Sequence, residues 1–167
     1  MRESVRHIVG VQFRNCATVG GSIFGRFGFS DVLTMFLAMD TWVELYDRGR
    51  IPLTEFVLME KDNDILVNVI VKKTPLNTVY LSQRNNSTDF PVLTCAVSLI
   101  DGEARTVIGA RPAKAMVVKI KKEYLKVFQK KVRGRKKRQR YLLQHMQQDK
   151  LLQIRICVPQ KNTELSL

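Results

Sequence analysis

The apolar positions change period several times over the first 118 residues, and each change predicts an element. In "ESVRHIV", Val5, Ile8 and Val9 recur at helical spacing, so a short amphipathic helix is expected. "QFRNCATVGGSIFG" mixes β-branched and aromatic residues around Gly20 and Gly21, which predicts two short extended pieces about a tight turn. Ser30 suits a helix N-cap and Asp31 the positive end of the helix dipole. The helix they open, "DVLTMFLAMD", is apolar nearly all round and so belongs at the centre of the core.

"TWVELYDRGRIPLTEFV" predicts a strand, a turn made by "DRGR", and a second strand stopped near Pro52. "DILVNVIVKK" reads as a strand ended by Pro75. Three more strands are expected within "NTVYLSQRNNSTDFPVLTCAVSLIDGEARTVIGARP", with "IDGEA" as an Asp-Gly hairpin turn. From Lys119 apolar residues thin out while helix propensity stays high, and the closing "CVPQKNTELSL" carries no pattern. No internal repeat is visible.

These elements make an α+β chain. Its 167 residues and 45% apolar content suit one ordinary domain with a real core. No apolar run approaches the roughly 18 to 20 residues that span a bilayer, and "MRESVRHIVG" lacks the apolar stretch of a signal peptide. A cytoplasmic protein without membrane contact is therefore expected. Cys16, Cys95 and Cys157 have neither pairable number nor zinc-like spacing, which predicts buried, reduced thiols. His7 and His145 lie far apart, and Asp62 with Asp64 reads as a solvated turn. No catalytic acid, base, nucleophile or metal-ligand set is expected.

Charge changes the picture in one place only. Of the net +13, residues 1–118 hold 13 Lys and Arg against 12 Asp and Glu, and residues 119–167 hold 15 against 3. The densest stretch, "KKVRGRKKRQR" at 130–140, has the composition of a phosphate-binding arm.

The candidate chemistry lies in the neutral part. Gly20 and Gly21 let backbone N–H groups approach a ligand with no Cβ in the way, Thr18 and Ser22 offer hydroxyls beside them, and Asp31 can accept from ribityl or ribose hydroxyls. Taken alone, the same residues serve equally as a tight turn and a helix start. However, "RNCATVGGSI", then "SD" with an apolar helix, then "VEL", "RIPLTEF" and "DILVNVIV", in that order, resembles the FAD-binding subunit of the xanthine dehydrogenase family of molybdenum hydroxylases. The resemblance covers about residues 2–117. It implies flavin contact by Thr18, Val19, Gly20, Gly21, Ser22, Asp31 and Leu66, with Ile8 beside the flavin. "R…DFP", carried by Arg84, Asp89, Phe90 and Pro91, and "GARP" are similar to the start of the family's C-terminal domain.

The implied fold is the second part of a PCMH-like FAD-binding domain over 1–74, a mixed sheet with a central apolar helix, followed over 75–118 by the first strands of the flavoprotein C-terminal domain. Three departures stand out. Leu81 and Ser82 are not cationic where members often carry Lys, Ser22 replaces the Asn of "GGN", and no "AGGTD"-like half precedes Met1. The expectation is a chain truncated at its N-terminus.

Residues 119–167 are expected to be a basic tail, helical or disordered and out of frame. With permitted codons read two bases on, "KLLQIRICVPQKNTEL" yields "SNMRASEEYR", close to the family's own continuation "SNMRGSAEYR". Finding no single-base insertion or deletion near Lys119 that restores the family reading would overturn this. The implied function is an FAD subunit passing electrons from iron-sulfur clusters through FAD to an acceptor such as NAD. Molybdopterin and 2Fe-2S centres would lie only on partners, a large and a small subunit. The competing readings are a nucleic-acid-binding protein driven by its tail, positioning on phosphate without sequence preference, and a non-functional gene fragment.

Overall fold

The computed structural model describes residues 1–119 except 75, 101, 102 and 112; these lie in one compact unit, Met1–Leu125. Four helices come first: α1 (Arg2–Val5), α2 (Val11–Cys16), α3 (Val19–Phe24) and α4 (Asp31–Leu37). β1 (Thr41–Leu45), β2 (Gly49–Pro52), α5 (Leu53–Phe56) and β3 (Leu66–Val71) follow. β4 (Leu76–Gln83), β5 (Leu93–Ile100), β6 (Glu103–Gly109) and β7 (Met116–Val118) complete the described chain.

The α+β class with a central apolar helix is as expected. Every residue of α4 is buried, and Ser30 caps it by accepting the Leu33 N–H at 3.2 Å. One three-stranded sheet runs β2-β1-β3 and one four-stranded sheet runs β4-β5-β6-β7. All described pairings are antiparallel rather than mixed, because each strand pairs with a neighbour that reverses direction and none returns parallel through a long crossover.

In the first sheet Thr41, Val43 and Leu45 point inward, and the "DRGR" turn forms with Gly49 at φ 69°, a backbone region that favours glycine. Pro52 closes β2 and hands the chain to α5, whose Leu53 and Phe56 join the core with Leu33, Leu37 and Val43. In the second sheet Ile100 opposes Glu103, so the Asp-Gly hairpin connection falls on residues 101 and 102, outside the described residues, as does Pro75. β7 is an addition that its three residues were too short to signal.

The sheet of β4–β7 is tied to α4 through polar atoms. Thr34 and Thr94 share a hydrogen bond at 3.0 Å, Ser98 donates to the Ala38 carbonyl, and Arg105 donates to the Met39 carbonyl at 3.0 Å. Glycine is required where backbones meet: a Cβ on Gly28 would lie 2.0 Å from the Ala113 carbonyl oxygen.

The segment 11–24 corrects the expected extended pieces and tight turn. It is two short helices. Thr18 caps α3 by accepting the Gly21 N–H at 3.0 Å, and Ile23 is fully buried, so capping and one core anchor outweigh the helix cost of two glycines. The first helix is also shorter than the apolar spacing suggests: α1 stops at Val5, and Val9 has φ 32°. Cys16, expected buried, is exposed at the end of α2, whereas Cys95 is buried in β5.

Candidate functional site

α3 brings the expected residues into one turn. Thr18 is the N-cap, Val19, Gly20 and Gly21 form the first turn, and the Ser22 hydroxyl donates back to the Thr18 carbonyl at 2.9 Å. The N–H groups of Val19 and Gly20 have no carbonyl one turn earlier in the helix. Thr18, Val19 and Gly21 are exposed. The Ser30 hydroxyl donates to the Ser22 carbonyl at 3.1 Å, which holds this turn against the start of α4 and so beside Asp31.

Gly20 faces Leu66. A Cβ built on Gly20 would sit 3.8 Å from Leu66 Cδ2, an ordinary contact, and would meet nothing closer. The protein's own packing therefore does not demand glycine there. The chain neighbours of these two residues, Val19, Ile65 and Val67, are exposed at 48, 63 and 52%. Bare backbone edged by apolar side chains is a surface on which a flat, partly apolar ligand can lie. Ile8 packs against the core near α1, and its carbonyl accepts from Arg14 Nη1 at 2.8 Å.

Asp31 is buried and already partnered. Its Oδ1 accepts from the Tyr80 hydroxyl and from Arg84 Nη2, and Arg84 Nη1 donates to the Asp89 carbonyl. This cluster joins the start of α4 to β4 and to the loop that follows it. Burial first, and then the Asp31 charge, push the Tyr80 phenol far above its usual range. Sequence reasoning placed Arg84 in a pattern without a partner and missed Tyr80. The available signal was a lone Asp opening an apolar helix; Arg84 sits in a polar run and gave none.

Arg26 was also missed. It is buried, has φ 51°, and donates from Nη1 to the carbonyls of Met59 and Glu60 at 3.0 and 2.7 Å. Burial lowers its pKa from the usual arginine value, while Asp62, 3.6 Å away, acts in the opposite direction. Asp62 also pairs with Arg48 at 3.0 Å, and Asp64 Oδ1 accepts the Asp47 and Ile65 N–H groups, so the pair of acids forms a braced turn. Among the described residues no group of three His, Cys, Asp or Glu is placed to hold a metal, and no helix is long and apolar enough to cross a membrane.

Comparison with known proteins bears on this arrangement. The profile of the family described as the FAD binding domain in molybdopterin dehydrogenase matches residues 1–74. No curated protein sequence matches the chain. Among solved structures, carbon monoxide dehydrogenase from Hydrogenophaga pseudoflava is similar with a TM-score of 0.59 at 21% identity, covering 69% of this chain and 45% of that one. Quinoline 2-oxidoreductase from Pseudomonas putida 86 gives 0.57 at 20%, with coverage of 69% and 45%. CO dehydrogenase from Oligotropha carboxidovorans gives 0.58 at 18%, with 70% and 46%. The chain thus spans less than half the length of each, and at these identities the likeness is one of fold.

The capped α3 turn, the buried α4 and the strand beginning at Leu66 all lie inside the matched segment. Over residues 1–74 the chain is therefore similar, in sequence and in fold, to the FAD binding domain in molybdopterin dehydrogenase.

Proposed function

We propose that the chain binds FAD as part of the flavin subunit of a molybdenum-containing hydroxylase or dehydrogenase. In this reading residues 1–74 are the later part of the FAD-binding domain and 75–118 begin the domain that follows it. Thr18, Val19, Gly20, Gly21 and Ser22 lie along the flavin nucleotide, Leu66 supports it from β3, and Ile8 flanks it. Asp31 stands behind the turn with Oδ1 committed to Tyr80 and Arg84, leaving Oδ2 for a ribityl or ribose hydroxyl. When bound, FAD supplies a carrier that takes up and releases electrons, and the protein's task is to bind, orient and tune it. The partners are a molybdopterin-binding large subunit and a 2Fe-2S small subunit, and the electrons pass on to an acceptor such as NAD.

The observation that carries this reading is the bare backbone of Gly20 beside Leu66 within the matched segment. It is tested by titrating the purified chain with FAD and following quenching of flavin fluorescence. Gly20→Ala adds a methyl that the protein accommodates and improves helix propensity by about 1 kcal/mol. The expected result is unchanged or higher thermal stability together with FAD binding weakened by about tenfold or more, because backbone approach is blocked. Equal FAD affinity in the variant, or no saturable uptake by the wild type, would overturn the proposal.

A further inference from the structure

We propose that Arg26 is a positioning residue that sets the spacing between the Gly20–Gly21 turn of α3 and Leu66 of β3; the proposal rests on the flavin reading of that surface. From Gly20 to Arg26 the chain is nearly all helix, and six residues of helix advance only about 9 Å. From Glu60 to Leu66 the same number of residues can stretch to about 20 Å. Gly20 faces the far end of this second segment, where a Cβ on it would lie 3.8 Å from Leu66 Cδ2, and Arg26 grips the near end at Met59 and Glu60. With both ends held, α3 acts as a ruler and the segment 60–66 must fold its excess length into the braced Asp62–Asp64 turn.

The grip is built rather than incidental. The guanidinium carbon lies 4.0 Å from the centre of the Phe56 ring in α5 and 5.7 Å from that of Phe24 in α3, and the side chain is 3% exposed. Arg26 also adopts a left-handed backbone conformation that costs a non-glycine residue free energy. A loop needing only that conformation is better served by glycine. Lysine is a poor substitute, since a point charge lacks the planar fork that reaches two carbonyls and Asp62 together.

The test is hydrogen exchange by mass spectrometry on the full chain as wild type, Arg26→Gln and Arg26→Lys, with FAD titrations and the visible circular dichroism of bound flavin measured in parallel. In Arg26→Gln, exchange across 18–22 and 59–66 should rise by about tenfold or more while β5 and β6 stay within about twofold. FAD should bind about tenfold more weakly with an altered dichroic band, and Arg26→Lys should recover part of both. Unchanged exchange at 18–22, or an equal rise in every element, would overturn the proposal. Should the glutamine variant fail to fold, the lysine variant decides by the same criteria. If the wild-type chain takes up no FAD, the flavin reading falls while the exchange pattern still decides whether Arg26 sets the spacing.

Discussion

Tyr80 donates its hydroxyl to Asp31 in a buried site, and that single bond links α4 to β4. Losing the phenolic proton would place a second negative charge beside a carboxylate, so the folded state holds that proton well above the pH at which the unfolded chain releases it, about 10. The folded pKa is raised, so the unfolded chain binds fewer protons above that pH and stability falls as pH rises. Urea denaturation of the wild type and Tyr80→Phe between pH 9 and 11.5 should differ in slope by up to about 1.4 kcal/mol per pH unit above pH 10. Parallel pH profiles would show that Tyr80 is not held in this way. Asp31 could be read from the sequence as unusual in its apolar helix, but its pairing with Arg84 spans 53 positions and needs the fold.

Helix α4 shows what an element contributes. Its seven residues are all buried, so it cannot present a polar face to water and is covered by α1, α3, α5 and the sheet of β4–β7. Leu33, with no exposed area, packs near the middle of this cluster. Leu33→Ala should destabilise the chain by about 2 to 5 kcal/mol in chemical denaturation, from lost burial and the cavity left behind. A cost under about 1 kcal/mol would mean that α4 is less central than its burial implies. The short helices are a different case. α2 and α3 have six residues each, too few for a periodicity to declare itself, and β-branched residues among them imitate strands. Thr18 was the local clue to the second of them, as a cap three residues before the amide it accepts.

At the scale of the whole molecule, charge and candidate site separate. The α3 turn and Leu66 lie in a nearly neutral segment, and most of the net +13 lies beyond residue 119, outside the described residues. A lysine-rich stretch with Tyr141 as its aromatic neighbour neutralises phosphate without reading bases. Filter binding of the full chain to duplex DNA should therefore be independent of sequence and fall by about a thousandfold or more between 50 and 200 mM salt. Strong binding by the full chain that vanishes when residues 119–167 are removed would favour the nucleic-acid reading over the flavin one.

The sequence by itself determined the buried central helix and its Ser30 cap, six of the seven strands among the described residues, and the ordered motifs that resemble an FAD-binding domain, because each is written in neighbouring residues. Only the tertiary structure decided that Gly20 meets Leu66, that Asp31 is held by Tyr80 and Arg84, and that Arg26 grips a loop more than 30 positions away. Those pairings depend on which faces pack together, and hydrophobic burial selects such faces by area and shape, without regard to distance along the chain.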